Sequence, residues 1–151
     1  MATRKHMILV DDSVDEAEFV RRALLPRFPD AELQIFRRGA EALEYLSGRG
    51  SPVGEDTSVH IVLLDLKLPG HGGHEVLREL RKRWSPGELP VVIFSSSREP
   101  SDVKEAYRLG ANSYVVKPVV HEQYVEVVGF VARYWLDANE LEPHETGPDH
   151  A

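Results

Sequence analysis

Length, composition and charge set the first limits on this sequence. The 151 residues are 42% hydrophobic and 28% charged, which suits one globular domain with a sizeable core, and the absence of cysteine excludes disulfides and thiolate metal sites. The net charge of −7 and the lack of a basic cluster argue against a nucleic-acid surface. With no apolar run of transmembrane length and no signal-peptide pattern, we expect a cytoplasmic protein with no membrane partner.

Apolar runs and helical periodicities alternate along the chain. The predicted strands, in chain order, are 5–10, a segment around Leu33 and Ile35, 59–64, 90–94 and 113–116. The predicted helices follow Ser13 to about Leu25, then cover 40–46, 74–84, 102–109 and 119–136. Ser13 and Glu16 have the spacing of a capping box for the first helix. Residues 47–58 are predicted to form a surface loop, because Gly, Pro, Ser and acidic residues dominate there.

Five strands that alternate with five helices predict an α/β fold of the doubly wound class. Such a sheet is parallel and is covered by helices on both faces. The third strand supports this prediction, because its apolar residues show almost no alternation. We expect a domain over residues 1–137 and a polar tail over 138–151, which is predicted to be mostly disordered.

Polar side chains follow four of the predicted strands. Asp11 and Asp12 come after the first strand, Asp65 after the third, Ser95 after the fourth and Lys117 after the fifth. Taken singly, each has an ordinary explanation as a cap, a polar turn or a solvated cation. Because the carboxyl ends of parallel strands share one edge, the five side chains are expected to converge. Three carboxylates favour a hard divalent cation such as Mg²⁺, while a lysine and a hydroxyl suit phosphoryl oxygens.

Four segments in order, ILVDD, LLDLKLPG, PVVIFSS and GANSYVVKP, closely resemble the receiver domain of two-component response regulators. The resemblance covers residues 6–136 and implies the flavodoxin-like strand order 2-1-3-4-5. It implies that Asp65 is the phosphoacceptor and that Lys117 and Ser95 bind the phosphoryl oxygens. The implied ligands of Mg²⁺ or Mn²⁺ are Asp11, Asp12, Asp65 and the backbone carbonyl of Lys67. Tyr114 is the implied switch partner of Ser95, and Lys117–Pro118 the implied cis peptide.

The implied function is phosphoryl acceptance from a sensor histidine kinase, with signalling by the face formed by helix 4, strand 5 and helix 5. The protein would not be an enzyme beyond its own phosphorylation and dephosphorylation. Within the family, the long loop after helix 2, the NSYVVKP segment and the YW pair near the end of the last helix are similar to regulators of bacterial phytochrome kinases. With no second domain expected, the signal would leave through an unknown downstream protein or through onward transfer in a phosphorelay.

The last predicted helix has more large apolar residues than one core-facing stripe needs. Tyr124, Val127, Val128, Val131 and Trp135 supply such a stripe. Four apolar residues are then left for other faces, which predicts a homodimer through this helix; they are Val125, Phe130, Tyr134 and Leu136. The alternative is that the tail, through Leu141, covers them.

Two other functional classes fit parts of the pattern. An aspartyl phosphohydrolase usually carries a second acid two residues after its nucleophile, where this chain has Lys67. A flavodoxin-like FMN binder needs a phosphate loop after the first strand, where Asp11, Asp12, Asp15 and Glu16 would repel an anion. Both classes are therefore less favoured than the receiver.

Overall fold

The computed structural model describes residues 5–48 and 59–143 and confirms the predicted fold class. Five parallel strands lie in the order β2-β1-β3-β4-β5. The strands are β1 (His6–Val10), β2 (Glu32–Phe36), β3 (Ile61–Leu64), β4 (Val91–Ser95) and β5 (Ser113–Val116). The helices are α1 (Val14–Leu24), α2 (Gly39–Ser47), α3 (Gly73–Arg81), α4 (Pro100–Arg108) and α5 (His121–Ala132), and a π-helical segment (Arg133–Ala138) follows α5. No helix in the described ranges has both the length and the apolarity needed to span a bilayer.

The central strands are buried on both faces, as their unbroken apolar runs predict. Along β3, Val62 and Leu64 contribute to the core beneath α2, α3 and α4, whereas Ile61 and Leu63 contribute to the core beneath α1 and α5. Successive side chains of a strand point to opposite faces, so one strand supplies both cores. The sheet is thereby fixed between two helical layers.

The start of α1 confirms only half of the predicted capping box. Ser13 Oγ accepts a hydrogen bond from the Glu16 backbone N–H at 3.2 Å, so Ser13 is the N-cap. The Ser13 N–H, however, donates a hydrogen bond to Asp11 Oδ1 at 2.9 Å. The Glu16 carboxylate instead contacts Lys117 and Tyr124.

The last helix corrects the prediction for Leu136, which is fully buried in the core beneath α1 and α5. Buried residues recur every four positions, at Tyr124, Val128, Ala132 and Leu136, and Gly129 is buried beside them. A π-helix has more residues per turn than an α-helix, and the hydrogen bond from Asn139 N–H to Tyr134 O, at 2.7 Å, spans five residues. Leu136 lies on the same buried face as Ala132, four residues earlier, and is therefore not available to a dimer interface.

Two further expectations concern connections. The predicted cis peptide at Lys117–Pro118 is wrong, because none of the described peptide bonds is cis. The loop prediction for residues 47–58 falls mainly on 49–58, and much of the predicted tail on 144–151; both stretches lie outside the described residues. The described part of the tail contacts the connection before β4, where Glu142 N–H donates to Gly87 O at 2.9 Å and Ser85 Oγ donates to Glu142 Oε2 at 2.8 Å.

Candidate functional site

The sheet holds three of the candidate residues by their backbones, one position beyond the ends of the strands. Asp11 N–H donates to Phe36 O at 3.0 Å, Asp65 N–H to Val10 O at 3.0 Å, and Lys117 N–H to Ser95 O at 2.8 Å. These bonds continue the parallel ladders past β1, β3 and β5. The side chains of Asp11, Asp65 and Lys117 are therefore brought to the same edge of the sheet.

The loop after β3 is held close to helix α3 by a glycine. Gly73 N–H donates to Leu66 O at 2.9 Å, and a Cβ at position 73 would lie 2.7 Å from Leu66 Cα. Gly70, within the same loop, has a φ of +76°, which favours glycine. The backbone around the Asp65 carboxylate is thus tightly positioned.

Three carboxylates form a cluster at this edge. Asp11 is 1% exposed and Asp65 8% exposed, while Asp12 is exposed to solvent. One oxygen from each of the three lies within 4.8 Å of the others. Oxygen ligands in this number and charge suit a hard divalent cation, so the residues present fit a Mg²⁺ or Mn²⁺ site.

Burial raises the pKa of the Asp65 carboxyl above its ordinary value, because removing water disfavours the charged form. The positive charge of Lys117 opposes this shift, and the negative charge of Asp11 adds to it. The Lys67 N–H also donates to Asp65 Oδ1 at 3.4 Å. Asp65 is therefore a carboxylate whose charged form a nearby cation would stabilise.

Lys117 supplies positive charge inside the cluster. Its Nζ lies 2.8 Å from Asp11 Oδ2, 3.0 Å from the Glu16 carboxylate and 3.4 Å from Asp65 Oδ2. Burial lowers the pKa of Lys117, but the hydrogen bonds and charges of Asp11, Asp65 and Glu16 together outweigh burial, so the net shift is upward. The ammonium therefore remains charged and within reach of a group bound at Asp65.

Ser95 and Tyr114 lie on neighbouring strands and meet through the loop that follows β4. Ser95 is fully buried, and its Oγ accepts a hydrogen bond from Ser97 N–H at 3.2 Å. The Tyr114 hydroxyl donates to Ser97 O at 2.8 Å. Ser97 in turn donates from its hydroxyl to Asp102 Oδ2 at 2.5 Å, which ties this loop to α4.

A cleft of about 510 Å³ opens onto the cluster. Polar residues of the site line one part of it, and side chains of α1, α5 and the loop after β5 line the rest. The lining residues are Glu16, Phe19, Asp65, Lys67, Ser96, Lys117, Pro118, Val119, His121 and Tyr124. A second molecule can therefore approach the Asp65 carboxylate from the side where α1 and the loop after β5 meet.

Sequence reasoning missed Glu16 and Tyr124 as residues of the site. The Tyr124 hydroxyl donates to Glu16 Oε1 at 3.2 Å. A signal for Glu16 was present, since it lies four residues before Val20 and eight before Leu24, both of which are fully buried. That spacing places an acid on the core-facing stripe of α1.

The arrangement defines a class of protein: a doubly wound domain with an acidic pocket, a lysine and a hydroxyl at the carboxyl edge of its sheet. The family model described as the response regulator receiver domain matches residues 7–129. The chain belongs to this family, and the resemblance predicted from its motifs is confirmed. Receiver domains are phosphoacceptor signalling domains rather than classical enzymes.

Two curated relatives are similar over most of their length. The response regulator Rcp1 of Synechocystis is 31% identical, with 88% of this chain and 90% of the relative covered. The probable methanogenesis regulatory protein FilR2 of Methanothrix harundinacea is 33% identical, with 88% and 84% covered.

Solved structures of response regulators are also similar. The phosphorylated cyanobacterial phytochrome response regulator RcpA has a TM-score of 0.79 at 30% identity, covering 91% of this chain and 98% of that one. The Mn²⁺-bound form of Rcp1 has a TM-score of 0.79 at 31% identity, covering 91% and 99%. The bacteriophytochrome response regulator RtBRR is 38% identical with a TM-score of 0.66, covering 93% and 85%.

Proposed function

We propose that this receiver accepts a phosphoryl group on Asp65 from a phosphohistidine of a sensor histidine kinase. The observation that carries the proposal is the placement of Asp65 in the acidic cluster, 3.4 Å from Lys117 Nζ and at the base of an open cleft. A nucleophilic carboxylate, a cation site and a fixed ammonium are the groups that phosphoryl transfer needs.

The transfer is a displacement at phosphorus. An Asp65 carboxylate oxygen forms the new O–P bond while the N–P bond to the kinase imidazole breaks, and the imidazole nitrogen keeps the electron pair. Lys117 donates to a phosphoryl oxygen, as does the Ser95 hydroxyl. Asp11, Asp12, Asp65 and the carbonyl of Lys67 would hold a divalent cation, Mg²⁺ or alternatively Mn²⁺, which would supply further positive charge near those oxygens.

The signal then passes through the loop after β4. Ser95 turns toward the phosphoryl group, which disturbs the loop that the Tyr114 hydroxyl holds through Ser97 O. Tyr114 turns inward, and the surface of α4, β5 and α5 changes as one two-state element. The support for this step is the pair of hydrogen bonds that join Ser95 and Tyr114 to Ser97.

The partner kinase is proposed to be of the phytochrome type, and the location to be the cytoplasm. Support for the kinase comes from two solved structures that are similar to this chain, RcpA and RtBRR, which are described as phytochrome and bacteriophytochrome response regulators. The kinase docks over the cleft between α1 and the loop after β5, since that is the open approach to Asp65.

A homodimer is proposed through α5 and the π-helical segment. Phe130 is 62% exposed and Tyr134 53% exposed, and they lie one helical turn apart. Val125 packs partly into the core beneath α1 and α5, so it contributes only its exposed part. Two large apolar side chains on one exposed face suit contact with a second copy of the chain.

The acceptor assignment is tested with acetyl phosphate and Mg²⁺, followed by intact mass measurement. The wild-type protein gains the mass of one phosphoryl group, and Asp65→Asn gains none, because an amide does not attack phosphorus. Asp15→Asn is the matched control, since Asp15 is an exposed carboxylate in the first turn of α1, and it is expected to be labelled like the wild type. Labelling of Asp65→Asn at the wild-type rate would show that another residue is the acceptor.

A further inference from the structure

Glu16 is an acid of α1 that lies inside the phosphoacceptor site. Its side chain is 25% exposed and lines the cleft beside Asp65, Lys67 and Lys117. In a capping box the Glu16 carboxylate would accept a hydrogen bond from the Ser13 N–H. Here the Ser13 N–H donates to Asp11 instead. The carboxylate is therefore directed toward the site.

Glu16 competes with the acceptor for the lysine. Lys117 Nζ is 3.0 Å from the Glu16 carboxylate and 3.4 Å from Asp65 Oδ2, with Asp11 Oδ2 at 2.8 Å. An ammonium group has three protons to donate, and three carboxylates surround it here. A phosphoryl group on Asp65 that needs the ammonium must draw it away from one of them.

Tyr124 fixes the carboxylate that competes for the lysine. Its hydroxyl donates to Glu16 Oε1 at 3.2 Å, and its ring is 5% exposed. The ring packs against Phe19 and Phe94, with centroids 5.7 Å and 5.2 Å away. Because the core holds the ring, the hydroxyl holds Glu16 close to Lys117.

We propose that Glu16 is a positioning residue that holds Lys117 back from Asp65 and weakens the phosphorylated state. The inference rests on the proposed role of Asp65 as acceptor. Phosphorylation replaces the single charge of the Asp65 carboxylate with a phosphoryl group of greater negative charge, which attracts Lys117 more strongly and repels Glu16. The strength of the Glu16 contact thus sets how readily the site accepts and keeps a phosphoryl group.

The test is the affinity of the Mg²⁺-loaded protein for beryllofluoride, a phosphoryl mimic, measured by isothermal titration calorimetry. Glu16→Gln removes the charge but keeps the length of the side chain and an oxygen for Tyr124. The variant is expected to bind beryllofluoride about threefold to tenfold more tightly than the wild type, since a partly buried competing charge is removed. Glu16→Ala, which suits a helix, is the second charge-removing variant and is expected to change affinity in the same direction.

Asp15→Asn again serves as the matched control, because it removes one charge from the same helical turn at an exposed position. Its affinity for beryllofluoride is expected to equal that of the wild type. The inference is overturned if both Glu16 variants bind beryllofluoride as weakly as the wild type or more weakly. It is also overturned if their unfolding temperature changes while their affinity does not, because that result marks a purely structural role. Wild-type protein that neither binds beryllofluoride nor takes up phosphoryl from acetyl phosphate overturns the acceptor role of Asp65 itself.

Discussion

At the scale of single residues, the charged Asp65 carboxylate has a cost in folding stability. Burial raises its pKa, and although Lys117 opposes the shift, the charge of Asp11 adds to it. A carboxyl with a raised folded-state pKa favours folding below its unfolded pKa, and that contribution is lost as the pH rises through the folded value. At neutral pH the charged Asp65 therefore lowers the stability of the fold.

Asp65→Asn is accordingly expected to raise the melting temperature at pH 7 by roughly 2–4 °C, which corresponds to about 1 kcal/mol in a domain of this size. The gain should shrink as the pH approaches the unfolded carboxyl pKa of about 3.9. Thermal unfolding followed by circular dichroism in EDTA, from pH 7 to pH 4, measures both effects. A melting temperature of Asp65→Asn below that of the wild type at pH 7 would contradict the claim that the buried charge of Asp65 destabilises the fold.

The site residues at the ends of strands were predicted from the sequence, whereas Glu16 and Tyr124, which enter the site from helices, were not. Asp11, Asp65, Ser95 and Lys117 follow directly from where the strands end, since parallel strands place their carboxyl ends at one edge. Glu16 reaches the same site from α1, and its local spacing to Ser13 also fits a cap. The local sequence pattern does not decide whether the Glu16 carboxylate accepts from the Ser13 N–H or from Lys117.

At the scale of helices and strands, Arg81 joins the end of α3 to the connections around β4 and β5. Its guanidinium donates to Gly110 O at 2.8 Å, to Leu89 O at 2.9 Å and to Asn112 Oδ1 at 2.9 Å. Burial lowers the pKa of Arg81 to about 10, so the group stays charged at neutral pH. One forked side chain therefore satisfies acceptors from two connecting segments, the one between α3 and β4 and the one between α4 and β5.

Arg81→Lys is expected to lower the free energy of unfolding by about 2–3 kcal/mol, because an ammonium lacks the planar fork and leaves buried acceptors without donors. Urea denaturation followed by tryptophan fluorescence measures the loss. Lys82→Gln is the neighbouring control. It removes an ion pair between Lys82 and Glu79, whose side chains are 65% and 42% exposed respectively, and should lower the free energy of unfolding by less than about 1 kcal/mol. Equal losses in the two variants would mean that Arg81 does not join these segments.

The order of the helices and strands was predictable, but the phase of the last helix was not. The predicted core stripe included Val127, Val131 and Trp135, which are only partly buried, and it left out Ala132 and Leu136, which are fully buried. Leu136 therefore lies in the core rather than on the predicted outer face, while Phe130 and Tyr134 are exposed. Which of two neighbouring apolar columns of a helix faces the sheet is set by packing, and the sequence pattern alone does not reveal it.

At the scale of the whole molecule, Phe130 and Tyr134 lie on the outer side of the helical layer formed by α1 and α5. The double variant Phe130→Ala/Tyr134→Ala is expected to weaken self-association at least about tenfold, since large aromatic side chains dominate such interfaces. Size-exclusion chromatography with light scattering over a range of micromolar concentrations measures the equilibrium. Tyr107→Ala on α4, where Tyr107 is 50% exposed, is the control and should dimerise like the wild type. A wild-type protein that is monomeric throughout this concentration range would contradict the proposed dimer.

The described end of the chain returns to the connection before β4, where Glu142 bonds to Gly87, whereas Asp65 lies beyond the opposite ends of the strands. The sequence has no cysteine, so one introduced at the exposed Glu140 would be the single thiol for coupling to a sensor chip or a fluorophore. Every attached molecule would then present the edge with Asp65 away from the support. The fold thus offers a fixed orientation for measuring kinase binding on a surface, with the edge that carries Asp65 left free.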